Sequence, residues 1–188
     1  GPLRPIQLWR DEIWAVDQGT EAASWFSEAV GQPCRLVWFG PGSERLLDPR
    51  YSPRSDAQTA FSDGYPVLGV LEESLAALNQ HLDVPVPMNR FRPNLMVTGG
   101  APWSEASWES LTVGEVHFDA VKPCARCPVI TTDQSTGARD PHQEPLRTLA
   151  ALRTTPGLGA IFGQNLVPRA PGIVRVGDPL HLHSAGPS

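Results

Sequence analysis

Residues 115–133, Glu-Val-His-Phe-Asp-Ala-Val-Lys-Pro-Cys-Ala-Arg-Cys-Pro-Val-Ile-Thr-Thr-Asp, join a clear strand pattern to two of the chain's three cysteines. Apolar and polar side chains alternate strictly over residues 115–120, which predicts a strand with one buried face. His117 lies on the polar face of that strand, so we expect it to be exposed to solvent. Residues 129–133 are rich in β-branched side chains, and they predict a second, buried strand that runs into a turn at residues 135–137.

The cysteine pair between these two strands is a candidate chemical centre. Cys124 and Cys127 lie three positions apart, beside the cations Lys122 and Arg126. A nearby positive charge favours the thiolate over the thiol. The thiolate is the form that attacks disulfides and binds soft metals.

Four interpretations of the pair compete. A structural zinc site needs a second pair of ligands, and only the scattered His117 and His142 could supply one. A thioredoxin-like redox pair opens a helix that follows a strand, whereas this pair precedes a predicted strand. Two inert, half-buried thiols form the third interpretation, because free cysteine often behaves as a small apolar residue. The fourth is a metal bound by one thiolate, which the observations below favour.

Composition excludes several classes of protein. The chain has 188 residues, 40% hydrophobic and 19% charged, as in an ordinary globular domain. A net charge of -5 without a cluster of Lys and Arg argues against nucleic acid as a partner. No apolar stretch approaches about 18 residues, so we expect no membrane span. The N-terminus lacks a signal pattern and the cysteine number is odd, which favours reduced thiols in a cytoplasmic protein.

Hydrophobic periodicity predicts many short strands and few helices. The predicted fold class is mixed α/β, mostly β, built on a strongly bent antiparallel sheet or barrel with peripheral helices. A long loop rich in Gly, Pro and Ser is predicted between residues 40 and 56. The predicted helices are Thr20–Val30, Glu72–Leu82 and Pro145–Arg153, and strands are predicted at about 35–39, 66–71, 94–98, 161–167 and 173–183.

Two further polar segments stand just before predicted strands. Arg92 carries a planar fork of donors suited to phosphate or carboxylate, and Asn94 can donate and accept hydrogen bonds. Pro93 disfavours the helical region for the residue before it, so we expect Arg92 to be extended. In the turn Asp63-Gly64-Tyr65 the glycine would let a ligand approach the backbone closely. A lone arginine that ties down a loop and an ordinary turn remain open alternatives for these segments.

Taken together, these segments resemble the MOSC domain, which is named for the C-terminal part of molybdenum cofactor sulfurase. The resemblance extends in order from about Gln7 to Leu182, and it is closest to the branch of the mitochondrial amidoxime-reducing component and its bacterial relatives. It implies a MOSC-type β-barrel-like fold, a pterin-bound molybdenum and the reduction of N-hydroxylated compounds. The segments that carry it are 61–63, 90–94, 122–127, 131–133, 136–137, 144–146, 162–165 and 176–179.

The resemblance also assigns roles to individual residues. Cys127 matches the cysteine that binds molybdenum and is the expected catalytic residue, whereas Cys124 matches a supporting position. The positions expected to contact the molybdenum cofactor (molybdopterin) are Asp63, Gly64, Tyr65, Arg92, Asn94 and Asn165. The polar residues 131–133 are expected to shape the same wall.

The domain organisation and the partners are also expectations from the resemblance. Relatives of this branch begin with a further β-rich region that contributes contacts to the cofactor. We expect residues 1–188 to be a single MOSC domain, with the end of that preceding region at about 6–60. The chain taken by itself is then expected to be without the cofactor and inactive. No ferredoxin-type cysteine cluster is found, so electrons for a small N-hydroxylated substrate must come from an external donor protein or domain.

One rival function uses the same residues. A non-catalytic domain could hold a persulfide on Cys127 or Cys124, or pass the molybdenum cofactor to another protein. Both functions need an exposed, activated thiol, so the sequence alone does not separate them.

Overall fold

Sheet dominates the structure, which confirms the predicted mostly-β class with few helices. The computed structural model describes residues 1–183, and these contain ten strands, three α-helices and three short 3₁₀-helices. The chain divides into two compact units, with the boundary between Gly64 and Tyr65. The organisation as one domain, preceded by the end of another region at about 6–60, stays a prediction.

The first unit holds a three-stranded antiparallel sheet and one helix. The strands lie in the order β1-β2-β3, so neighbours in sequence are also neighbours in the sheet. The strand predicted at 35–39 covers only two residues, and the helix agrees with its prediction to within one residue. The elements are β1 (Leu3–Leu8), β2 (Asp11–Asp17), α1 (Gly19–Val30) and β3 (Val37–Trp38).

The second unit contains the remaining elements of the described chain. Its strands are β4 (Val67–Leu71), β5 (Leu95–Val97), β6 (Ser110–Val113), β7 (Val116–Ala125), β8 (Thr154–Thr155), β9 (Gly159–Pro168) and β10 (Leu180–His183). Its helices are α2 (Glu72–Asn79) and α3 (Leu146–Leu152). The 3₁₀-helices cover Met88–Arg90, Ser104–Ser107 and Pro128–Thr131.

One curled half-barrel sheet organises the second unit. Its strand order is β10-β6-β7-β9-β4-β5, and β8 pairs with β9. All pairs are antiparallel except β4 with β5, which are parallel. This agrees with the predicted bent antiparallel sheet. The strand β9 occupies the centre, between β7 and β4.

Apolar clusters cover both faces of this sheet. Side chains alternate along β4, so Leu68 and Val70 belong to one cluster and Leu71 to the other. The first cluster also contains Phe91, Ile130 and residues of α2 and α3, and the second contains residues of β6 and β7. The strands β4 and β7, which flank the central strand β9, therefore contribute side chains to both clusters.

A bulge in β9 brings Phe162 into the first cluster. Pro123 and Ala125 of β7 oppose Gln164 and Ile161 of β9, so β9 carries one extra residue at this point. Gly163 lies within that bulge at φ +80°, a conformation that favours glycine. The extra residue changes the face to which the preceding side chain points.

Three predicted elements of the second unit differ in the structure. The strand predicted at 129–133 is wrong, because Pro128 is well suited to the first position of a helix and Thr131 donates to the Pro128 carbonyl at 2.7 Å. Helix α2 ends at Asn79, three residues before the predicted end, and the Asn79 side chain bonds the backbone of Val86 at 2.9 and 3.0 Å. The strand predicted at 173–183 is formed only at 180–183.

Candidate functional site

Three polar positions lie along one row across the sheet, with Leu68 between two of them. In the register of the central strands, Lys122 of β7 opposes Asn165 of β9, and Asn165 opposes Leu68 of β4. Asn94 extends the row, because its backbone N–H donates to the Leu68 carbonyl at 2.9 Å. Neighbouring strands are about 4.8 Å apart, so Asn94 and Asn165 lie on either side of the Leu68 backbone.

The side chain of Asn94 has one structural bond and one donor group left over. Its Oδ1 accepts the N–H of Leu68 at 2.8 Å, which fixes the amide beside β4. Its amide NH₂ makes no hydrogen bond to the described residues and is exposed. Asn94 can therefore donate to a ligand without losing its own anchor. Asn165 is half-buried, and its side chain has no partner within residues 1–183.

Arg92 has an unusual backbone conformation that the sequence did not predict. Its φ is +54°, so the prediction of an extended Arg92 is wrong. The residue follows the 3₁₀-helix Met88–Arg90, and its N–H donates to the Asn89 carbonyl at 3.3 Å. Helices commonly end with a residue in this left-handed region, and that preference overrides the influence of Pro93. The exposed guanidinium has no hydrogen bond or ion pair to the part of the chain that is described.

The two cysteines of the pair have different surroundings. Cys127 is exposed, and it stands at the N-cap of the 3₁₀-helix Pro128–Thr131, where its carbonyl accepts the N–H of Ile130 at 3.3 Å. Cys124 is half-buried at the end of β7 and packs against the first apolar cluster. Both thiols are free. Of the two, Cys127 is the more accessible to a metal or another molecule.

Arg126 connects the loop of Cys127 to the loop of Arg92. Its Nη2 donates to the Phe91 carbonyl at 2.8 Å, and its Nη1 donates to the Cys124 sulfur at 3.1 Å. Phe91 directly precedes Arg92, and Arg126 directly precedes Cys127. The contact therefore places the two predicted site residues on adjacent loops. The arginine expected to activate a thiol contacts Cys124 rather than the metal-binding candidate.

A second contact joins the same part of the chain to residues 133 and 134. Arg90 Nη2 donates to Asp133 Oδ2 at 3.0 Å, and Gln134 Nε2 donates to the Asn89 carbonyl at 2.6 Å. Hydrogen bonds from the Ser135 hydroxyl and amide, with the charge of Arg90, lower the pKa of Asp133 to about 2. Asp133 is thus an anionic anchor of the wall rather than a proton donor at neutral pH.

The turn Asp63-Gly64-Tyr65 spans the boundary between the two units. Within the first unit the buried Arg45 donates to the carbonyls of Ala60, Ser62 and Asp63 at 3.1, 2.5 and 3.0 Å. The Arg45 Nε also binds the Asp11 carboxylate at 2.7 Å. Arg45 therefore fixes the backbone that leads to Gly64. Tyr65 is half-buried at the start of the second unit.

Sequence reasoning missed the residues that hold the site together. Phe91 and Arg126 were grouped with their motifs, but their mutual contact joins segments 35 residues apart. A signal was present, since each directly precedes a candidate site residue. Asn94 also lines a groove of about 1120 Å³ beside β5 and β10, which the other site residues do not line.

The arrangement suits an anionic group that carries a metal. An exposed thiol, an exposed guanidinium and an amide donor lie on neighbouring loops and strands. In residues 1–183 no three His, Cys, Asp or Glu side chains are grouped to hold a metal ion. A metal here would therefore take one thiolate from the protein and its other ligands from a bound group.

No helix of the described chain is long and apolar enough to cross a membrane.

Comparison with known proteins supplies the family context. The model of the MOSC domain matches residues 56–181. Mitochondrial amidoxime-reducing component 1 of Mus musculus is 37% identical over 193 residues, covering 96% of this chain and 56% of the relative. Molybdenum cofactor sulfurase of Oryza sativa subsp. japonica is 36% identical over 148 residues, 71% of this chain and 18% of that protein.

A similarity to a solved structure was also found. The crystal structure of YiiM from Geobacillus stearothermophilus superposes with a TM-score of 0.46 at 14% identity, over 64% of this chain and 55% of that one. The chain spans about half the length of the amidoxime-reducing components that it matches.

Proposed function

Because the chain belongs to the MOSC domain family, we propose that it binds the molybdenum cofactor through Cys127 and Arg92 and reduces N-hydroxylated small molecules. The chain is related to proteins named amidoxime-reducing components and molybdenum cofactor sulfurase, which supports an association with that cofactor. The observation that carries the proposal is the Arg126–Phe91 contact, since it joins the loop of an exposed thiol to the loop of an exposed guanidinium.

Each candidate residue fits the cofactor by its available donor groups. Cys127 offers a soft sulfur ligand, the type that molybdenum accepts in such centres. Arg92 offers two parallel N–H donors to a phosphate. The NH₂ of Asn94 and the side-chain amide of Asn165, which have no hydrogen-bond partner within residues 1–183, would orient the same group. Lys122 is in the same row, at the register position opposite Asn165.

When bound, the cofactor would supply a two-electron redox centre, so that an N–OH group could be reduced to N–H with two electrons from an external donor and two protons, the oxygen leaving as water. The protein's part is to bind and orient. Cys127 would hold the metal through its exposed thiolate, and Arg92 would compensate the negative charge of the cofactor. Asp63, Gly64 and Tyr65 are proposed as further contacts from the turn before β4. The electron donor and the small N-hydroxylated substrate remain proposals of the same kind.

The test compares two cysteine variants of the full-length protein. We expect Cys127→Ala to lose bound molybdenum and at least about 100-fold of amidoxime reduction, because it removes the protein's ligand to the metal. Cys124→Ala is the matched control, and it should keep both within about tenfold, as for a residue that only supports a ligand. Molybdenum is measured by metal analysis and reduction by product formation.

Three outcomes decide between the functions. Loss of metal and activity in Cys127→Ala alone supports the proposal. Full metal content and activity in that variant contradicts it. A wild-type protein that carries a persulfide on Cys127, with no pterin and no molybdenum by mass spectrometry, supports the sulfur-carrier function instead.

A further inference from the structure

A stack of aromatic rings crosses the first apolar cluster and ends in a guanidinium at each side. The rings of Phe91 and Phe162 are stacked with centroids 3.9 Å apart, and Trp103 meets Phe162 edge-on at 5.9 Å. Arg126 lies over Phe91 at 5.6 Å, and Arg153 lies over Trp103 at 5.3 Å. Such cation–π contacts stabilise the guanidinium while its edge stays free for hydrogen bonds.

The two ends of this stack differ in what the guanidinium binds. Arg126 donates to the Phe91 carbonyl at 2.8 Å and to the Cys124 sulfur at 3.1 Å. Its backbone N–H donates to the Ala160 carbonyl of β9 at 2.8 Å, so the residue is tied to the central strand as well. Arg153 makes no comparable side-chain bond in the described chain. Both arginines stack on an aromatic ring, but within the described residues only Arg126 also makes side-chain hydrogen bonds. A comparison of the two therefore separates the effect of these hydrogen bonds from the effect of stacking.

We infer that Arg126 is a positioning residue that sets the spacing between Cys127 and Arg92. The inference rests on the proposed function, in which those two residues bind one cofactor. Arg126 acts through its neighbours: it holds Phe91, and thus Arg92, against the segment that presents Cys127. By engaging Cys124 it also keeps the half-buried thiol in place and leaves Cys127 as the accessible one.

Lysine cannot perform this task, although it keeps the charge. The planar fork of Arg126 reaches an oxygen and a sulfur with two separate nitrogens while its face lies on Phe91. An ammonium is a single point of charge without a planar face. Arg126→Lys should therefore free the two loops from each other. Arg153→Lys changes a guanidinium stacked on an aromatic ring in the same way, and it is the matched control.

The first measurement needs no cofactor. In hydrogen exchange followed by mass spectrometry, Arg126→Lys should increase exchange in segments 88–94 and 124–131 by about tenfold or more. Arg153→Lys should leave both segments at the wild-type rate. An equal increase in every segment of the second unit would show only global destabilisation, and it would overturn the inference. No change in either segment would also overturn it.

A second variant keeps the test usable if Arg126→Lys does not fold. Cys124→Ala removes the sulfur acceptor and keeps the bond to Phe91. Its increase in exchange should be smaller and confined to the same two segments. If Arg126→Lys does not fold and Cys124→Ala exchanges its amide hydrogens at the wild-type rate, the inferred positioning role of Arg126 is contradicted.

The second measurement uses the full-length protein loaded with the cofactor. Arg126→Lys should lose molybdenum about tenfold faster than wild type and Arg153→Lys on gel filtration. If the wild-type protein retains no molybdenum, the proposed function fails. The hydrogen-exchange measurement still tests whether Arg126 holds the two segments together. If Arg126→Lys retains molybdenum like wild type although its loops exchange faster, Arg126 does not position the site, and the inference fails.

Discussion

A single carboxylate organises much of the first unit. Asp17 is only 1% exposed, and it accepts hydrogen bonds from Arg35 at 2.6 and 3.0 Å and from the Gly19 N–H at 2.7 Å. Arg4 forms a further ion pair with it. The hydrogen bonds from Arg35 and Gly19 hold the pKa of Asp17 well below its ordinary value of 3.8. The end of β2, the start of α1 and the approach to β3 thus share one anion.

Replacing Asp17 should weaken the protein in a way that depends on pH. A carboxyl whose pKa is lower in the folded state stabilises fully above its unfolded value, and the contribution is lost as pH falls towards the folded value. We expect Asp17→Asn to have a lower urea midpoint than wild type at pH 7, and the gap to narrow below about pH 4. Tryptophan fluorescence is suitable, because four of the six tryptophans lie in residues 1–64.

The control for this prediction is another carboxylate in the same unit. The Asp56 side chain is 82% exposed and pairs with Arg54 at the surface. Asp56→Asn should change the midpoint little at any pH. A gap between Asp17→Asn and wild type that stays constant from pH 7 to pH 3 would refute the assigned role of Asp17.

At the scale of elements, the bulge of β9 depends on one glycine. An added Cβ at Gly163 would lie 2.7 Å from the Val70 side chain and 2.8 Å from the Gly69 carbonyl. Gly159 of the same strand has a similar φ, +83°, but an added Cβ there would meet nothing within 4 Å. The two positions therefore separate backbone strain from crowding.

Alanine at these two glycines should have unequal effects on stability. Gly159→Ala should cost about 1–2 kcal/mol from the left-handed backbone alone. Gly163→Ala should cost roughly 1–3 kcal/mol more, because the core around β4 must move. The free energy of unfolding in urea measures both. Equal costs would mean that the core absorbs the methyl group, and the crowding argument would be wrong.

Elements whose signal is local were predictable from the sequence. The alternation over residues 115–120 predicted the start of β7, and His117 is exposed as predicted. The reason is that side chains in a strand point alternately to the two faces of the sheet. The segment 129–133 misled because β propensity depends on available neighbours, and Pro128 favoured a helical turn. The φ of Arg92 could not be predicted, since it depends on a helix end that propensity does not show.

The candidate site could be predicted only in part for the same reason. Residue types marked Cys127, Arg92 and Asn94 as chemistry-bearing, and the resemblance to a family grouped them. The contacts between them are tertiary: Arg126 meets Phe91, and Asn94 binds the backbone of Leu68. The positions of residues along the sequence do not show which distant residues will form such contacts.

At the scale of the whole molecule, the connection between β3 and β4 is the segment to cut. The isolated bridge between Leu46 and Gln58 closes its middle part into a loop, and Arg45 bonds to residues 60–63 just outside that bridge. The Arg50 side chain, inside that bridge, is 78% exposed. Exposed loop segments are preferred sites of proteolysis. Trypsin should therefore cut first after Arg50 or Arg54 and leave a fragment that contains all of residues 65–183.

Mass spectrometry of the early fragments checks this prediction. The double variant Arg50→Gln, Arg54→Gln should slow the first cut several-fold, because it removes both trypsin sites between Leu46 and Gln58. Cleavage at the trypsin sites of the second unit, which are the same in both proteins, is the internal control. A first cut within residues 65–183 would contradict the expected order.

The sheet order also has a consequence for biosynthesis. The central strand β9 leaves the ribosome after β4, β5, β6 and β7, because it begins only at Gly159. Until then the nascent chain can form two separate ribbons, β4 with β5 and β6 with β7, each with an unpaired inner edge. Late arrival of a joining strand leaves such edges open to wrong partners. A chaperone that shields them during translation would therefore act between the emergence of Ala125 and that of Pro168.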